Sequence, residues 1–98
     1  MSNATEKAVT YQEARTYLAT LEARERARTG IRSLKVGWNE AQGYFIEITL
    51  AAISRRMVED AEWTIPADYR PIANPANAYR FRTKELGSNE VIVMAGES

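Results

Sequence analysis

Between Ser33 and Thr49 apolar residues recur at every second position, and this alternation is the strongest structural signal in the chain. Leu34, Val36 and Trp38 alternate with Ser33, Lys35 and Gly37, which gives a strand one apolar face. Asn39 to Gly43 is polar and closes on glycine, as the loop of a hairpin slightly longer than the tightest kind does. The returning strand runs from Tyr44 to Thr49, with Tyr44, Ile46 and Ile48 on one face and Phe45, Glu47 and Thr49 on the other. Aromatic residues on both faces predict cover on both sides. A lone two-stranded ribbon is marginal, so a third strand or a helix must pack on it.

Upstream the period changes. Thr10 and Glu13 have the spacing of a capping box, in which a hydroxyl accepts from one free helix amide and a carboxylate accepts from another. A helix is therefore predicted over 11–28, with Ala14, Tyr17, Leu18 and Leu21 at helical spacing. The apolar stripe stops after Leu21, and Glu22 with Arg26 and Glu25 with Arg28 read as surface ion pairs. The second half of the helix is expected to be solvated, or covered by something beyond this chain. Arg24, Arg26 and Arg28 are then either charges on a wet face or contacts to phosphate. Gly30 fits the position just past a helix end.

Downstream, Leu50, Ile53, Met57 and Ala61 suit a helix over 50–62, although a long loop fits the same letters. Trp63 to Ile65 is extended ahead of Pro66. Pro71 and Pro75 bound an irregular passage, and Tyr79 to Thr83 alternates again as a third strand with Arg80 and Arg82 on one face. Those two arginines are either charges guarding a sheet edge or a rail for phosphates. Over 88–95 the β-branched run Val91-Ile92-Val93 suits a strand, while Gly87-Ser88-Asn89 before it can open a helix. The fold class predicted is α+β, a small antiparallel sheet made of the hairpin 33–49 and a strand near 79–83, with an N-terminal helix over 11–28.

Composition narrows the chemistry. At 98 residues the chain holds one small core. Thirteen basic and 13 acidic side chains cancel, so any basic face must be local. The absence of cysteine and histidine removes thiolate and imidazole ligands, thiol nucleophiles and the commonest neutral-pH acid–base group. Glu40, Glu47, Glu59, Asp60, Glu62 and Asp68 show no spacing that calls for acid–base work or magnesium, and no glycine-rich loop ends in Gly-Lys-Ser or Gly-Lys-Thr. An enzyme is not expected. No apolar run has the length of a membrane span, and a cytoplasmic location is expected. Aromatics interleaved with basic residues, as at Lys35 and Trp38 or along Tyr79-Arg80-Phe81-Arg82, suit either a core or a nucleic-acid surface.

The residues also carry a family wording. Leu21-Glu22-Ala23-Arg24-Glu25-Arg26, then Arg28-Thr29-Gly30-Ile31, Leu34-Lys35-Val36-Gly37, Asn39 and Gly43-Tyr44-Phe45-Ile46-Glu47-Ile48-Thr49 together resemble the MutS mismatch-repair family. Pro66-Ala67-Asp68-Tyr69, Asn77-Ala78, Arg80-Phe81 and Glu85-Leu86 are similar to later family positions. The resemblance implies the clamp domain with flanking pieces of the lever helices. Residues 1–4 would be a cloning remnant, 5–30 the end of a lever helix, 31–86 the clamp, and 87–98 the start of a returning lever segment or a tail.

Such a clamp holds double-stranded DNA by its phosphates without reading sequence. The parent is then a homodimer, and its ATP and magnesium lie in a domain outside this chain. Asn77 and Arg80 match family positions and, with Arg82 on the same strand face as Arg80, are the candidate DNA-binding residues; Arg55 and Arg56, which restore positive charge at a shifted place, and Lys35 stand behind them. The chain departs from the family at Pro71-Ile72-Ala73-Asn74-Pro75-Ala76, where family members resemble one another in a basic run. That departure, with the neutral charge, leaves an alternative: a clamp-like module used for protein–protein contact or as a spacer.

Overall fold

The computed structural model describes residues 10–86. Elements follow in the order α1 (Tyr11–Thr29), β1 (Lys35–Asn39), β2 (Gly43–Thr49), α2 (Leu50–Glu59), β3 (Arg70–Ala73) and β4 (Ala78–Arg82). The fold is α+β, as the sequence predicts. The expected remnant at 1–4, and the segment 87–98 with its open assignment over 88–95, lie outside the described residues.

Local chemistry sets the helix ends. Thr10 Oγ1 accepts from the Glu13 amide and the Thr10 amide donates to Glu13 Oε1, both at 3.0 Å, which completes the capping box. At the other end Gly30 takes a left-handed conformation with φ 76°, and its N–H donates to the Arg26 carbonyl at 2.9 Å. Thr49 ends β2 and also caps α2, its Oγ1 accepting from the Ala52 amide at 3.0 Å. The stretch after β2, ambiguous in sequence, is therefore a helix entered without a linker. It stops at Glu59 rather than reaching Glu62.

The strands form one antiparallel sheet in the order β1-β2-β4-β3. Its inner face packs on the helices: Ile46, Ile48 and Phe81 join Leu21 of α1, Ala52 and Ile53 of α2, and Leu34, Tyr69 and Leu86 in a single core. Burying each large apolar side chain there contributes about 1.5–3 kcal/mol against leaving it in water. The outer strand face carries Lys35, Gly37, Phe45, Glu47, Arg80 and Arg82, and among the described residues no helix covers it.

Two sequence expectations need correction. The passage after Pro71 is strand as far as Ala73 and irregular only beyond it: β3 pairs with β4 through Arg70↔Arg82 and Pro71↔Phe81, with a register shift before Ala73. A proline lacks the ladder N–H and survives only at a sheet edge, which is where β3 lies. The second half of α1 is also not a solvated face. Glu25 and Thr29 are buried, and Arg26 Nε donates to the Leu34 carbonyl at 2.8 Å. The helix docks through polar groups where its apolar stripe ends. Beside it, the outward N–H of Val36 on edge strand β1 donates to Glu22 Oε2 at 2.9 Å.

Candidate nucleic-acid interface

Period-two alternation along β4 sends Arg80 and Arg82 to the outer face together. The register places Arg80 opposite Glu47, and Arg80 Nε donates to Glu47 Oε2 at 3.2 Å. Arg80 Nη1 donates to Gln42 Oε1 at 3.2 Å, and Arg82 Nη2 donates to the Gln42 carbonyl at 2.6 Å. Gln42 is held ready by the hairpin loop: its amide donates to Asn39 Oδ1 at 2.7 Å and its Oε1 accepts from Asn39 Nδ2 at 3.1 Å. The loop thus folds back over the outer face and ties both arginines down. Arg82 Nε is buried with no hydrogen-bond partner among the described residues.

Beneath this network lies Phe45, only 4% exposed although no helix among the described residues covers its face. The Arg80 guanidinium carbon sits 4.5 Å from the Phe45 ring centroid, a cation–π contact that also serves as a roof. Gly37 supplies the space on the neighbouring strand, since a Cβ there would stand 2.7 Å from Phe45 Cε1. The cover on both faces of β2 expected from Tyr44 and Phe45 is present. Lys35 is exposed opposite Glu47, and Arg70 is exposed opposite Arg82. The strand positions of this face therefore hold Lys35, Arg70, Arg80 and Arg82 against the single carboxylate of Glu47.

The remaining candidates stand elsewhere. Asn77 is exposed in the turn ahead of β4, where its carbonyl accepts from the Leu50 amide at 3.0 Å and joins the start of α2 to the end of the outer face. Arg56 faces the helical side. Its Nε donates to the Thr29 carbonyl at 2.9 Å, its guanidinium lies 5.6 Å from the Trp63 ring centroid, and Glu59 and Asp60 are each 3.9 Å away. Arg55 is exposed on the same helix. The structure brings Lys35, Arg80 and Arg82 onto one face, puts Asn77 in the turn that leads into β4, and sets Arg55 and Arg56 apart. Arg70 was missed because its strand is hidden by Pro71; a proline compatible with an edge strand was the only signal.

Helix α1 is fastened to the approach of β3 by a buried carboxylate. Glu25, 3% exposed, accepts from Tyr69 Oη at 2.7 Å and Arg28 Nε at 2.9 Å, with Arg24 Nε at 3.4 Å. Arg28 Nη2 also reaches Asp68 at 2.9 Å. Desolvation pulls the Arg28 pKa down, but hydrogen bonds to Asp68 and Glu25 and their charges outweigh it, so the pKa is raised and the cation locked in. Burial, then the hydrogen bond to Glu25 and its charge, raise the Tyr69 phenol above its ordinary value. Asp68 and Tyr69 belong to the wording that resembles the family, and this joint is their structural work. Among the described residues no acidic cluster is arranged to hold a metal ion, and no helix is long and apolar enough to cross a membrane.

Comparison with known proteins agrees with this architecture. The family model described as MutS family domain IV matches residues 5–95. A DNA mismatch repair protein MutS from Pelotomaculum thermopropionicum is 44% identical over 86 residues, which is 88% of this chain and 9% of that protein. The same-named protein of Solibacter usitatus is 45% identical over 86 residues, again 88% of this chain and 9% of the relative. That of Staphylococcus aureus strain JH9 is 43% identical over 83 residues, 85% of this chain and 9% of its own length. The chain thus spans about a tenth of the curated relatives it matches. With a family model matched over residues 5–95 and relatives 43–45% identical over most of its length, the chain belongs to the MutS family, where it corresponds to domain IV.

Proposed function

We propose that this chain is the segment of a mismatch-repair protein that holds duplex DNA from outside, through phosphate contacts that carry no base information. The observation behind the reading is the outer sheet face, covered by no described helix, whose strand positions hold Lys35, Arg70, Arg80 and Arg82, with Asn77 in the turn before β4. Arg80 and Asn77 stand at positions that match the family wording. An extended row of cations meets the outer rails of a duplex by charge, and the Asn77 amide adds a donor to a phosphate oxygen. The segment performs no reaction of its own in this reading. ATP hydrolysis with magnesium, and the homodimer that would close two such clamps around DNA, belong to the rest of a full-length protein, working in the cytoplasm.

A fluorescent duplex titrated with the chain at several salt concentrations tests the reading. Binding at low salt that falls steeply as salt rises, and that weakens for every duplex sequence alike when Arg80→Ala is combined with Arg82→Ala, supports it. Absence of binding at low salt would favour a second reading, a clamp-like module used in protein contact or as a spacer. Two observations point that way: Glu47 and Gln42 already engage Arg80, and the formal charge of the chain is zero.

A further inference from the structure

A cleft of about 430 Å³ lies between the Gly30–Ser33 turn and α2, on the helical side of the sheet and away from the outer face. Arg32, Arg55 and Arg56 line it, together with Ser33 and a single carboxylate, Glu59. Arg56 is already committed to the Thr29 carbonyl, and Glu59 stands 3.9 Å from Arg56 Nη1. Arg32 and Arg55 are different. Both are exposed, and among the described residues neither has an ion pair, hydrogen bond or ring contact.

Two unpaired guanidinium groups that share a concave wall repel each other, and the concavity concentrates their field. An oxyanion between them removes the repulsion and accepts the paired N–H groups that a guanidinium presents in a plane. Ser33 offers a hydroxyl donor at the same wall. The backbone N–H groups of Arg32 and Ser33 have no protein acceptor among the described residues either.

We propose that this cleft is a phosphate-binding site in which Arg32 and Arg55 grip one phosphate group, Ser33 donates to it, and Arg56 fixes the wall against the end of α1. The phosphate comes either from a nucleic-acid backbone or from a small free phosphate; the recognising chemistry is the same. The site does not depend on the outer face, so it stands or falls separately from the reading above.

The test uses the 98-residue chain. Arginine side-chain NMR resonances are followed while sodium phosphate replaces sodium chloride at constant ionic strength. The expected result is a saturable shift of the Arg32 and Arg55 Nε–H signals with phosphate, lost in the Arg32→Gln, Arg55→Gln double variant and weakened in Ser33→Ala. In parallel, the double variant is titrated with fluorescent duplex across salt concentrations. If a backbone phosphate occupies the cleft, the slope of log affinity against log salt becomes shallower by about one counterion, the single phosphate gripped there. A phosphate shift with an unchanged duplex slope assigns the site to a free phosphate. If phosphate moves no arginine signal more than chloride does and the duplex slope is unchanged, the proposal is overturned. Should the chain bind no duplex at all, the outer-face reading fails while the phosphate titration still decides the cleft. Both arginines are exposed, so matching thermal melts of chain and variant are expected.

Discussion

Tyr69 donates its hydroxyl proton to Glu25 Oε1 at 2.7 Å, across a sequence separation of 44 residues. This bond joins the charged half of α1 to the approach of β3, and it is made to a carboxylate that is only 3% exposed. Tyr69→Phe keeps the ring against Phe81, 5.3 Å between centroids, and removes only the hydroxyl. Glu25 then loses a donor while still buried, and stability should fall by about 1–3 kcal/mol. Urea unfolding of the two proteins measures the difference; an unchanged midpoint would mean the bond is idle.

Alkaline pH should unfold the chain by way of its buried tyrosines. Tyr69 and Tyr44 both have phenol pKa values raised by burial, helped at Tyr69 by Glu25 and at Tyr44 by the charge of Tyr11. The neutral phenol is favoured in the folded state, so the contribution is complete below the unfolded pKa of about 10. Above that pH the unfolded chain releases its protons first. Stability then declines by about 1.4 kcal/mol per pH unit for each such tyrosine until the folded phenol ionises. Tyr69→Phe should make the decline above pH 10 shallower, as read from melting temperatures between about pH 8 and 11.

Gly30 and Gly43 form an internal comparison. Both have positive φ, 76° and 73°, but a Cβ at Gly30 meets Arg56 Nε at 2.7 Å whereas at Gly43 nothing lies within 4 Å. Gly43→Ala should cost about 1–2 kcal/mol for the left-handed backbone alone. Gly30→Ala should cost more, because Arg56 must also leave the Thr29 carbonyl, a bond whose loss adds roughly 1 kcal/mol. Equal losses in denaturant titrations would show that Arg56 swings aside freely.

Glu47 restrains Arg80 at 3.2 Å and is the only carboxylate at the strand positions of the outer face. Replacing it by Gln frees the guanidinium while keeping an acceptor opposite it. If the outer face holds DNA, Glu47→Gln should tighten duplex binding and steepen its salt dependence by about one counterion. Fluorescence anisotropy over a salt series measures both, and an unchanged slope would place the duplex elsewhere.

Much of this fold was legible because its signals are local. A capping box at Thr10 and Glu13 and a glycine at position 30 mark the ends of α1, and alternation marks β1, β2 and β4. What escaped depends on partners distant in sequence. β3 was lost because Pro71 reads as a breaker until the topology shows it on an edge. Glu25 looked like any helix-surface acid because Tyr69, which buries it, arrives much later in the chain. The site divides in the same way: the shared face of Arg80 and Arg82 follows from their spacing, but their capture by Gln42 and Glu47 requires the strand register and the folded-back hairpin loop.

The treatment of the two sheet borders has a consequence for how the chain behaves in a crowded solution. On one side the Glu22 carboxylate takes the Val36 N–H, and on the other Pro71 has no N–H to give. A sheet whose open ladders are stoppered in this way offers little template for another copy to extend. The chain is thereby biased against fibrillar self-assembly, and Glu22→Ala, which reopens the β1 border, is the change that should restore that hazard.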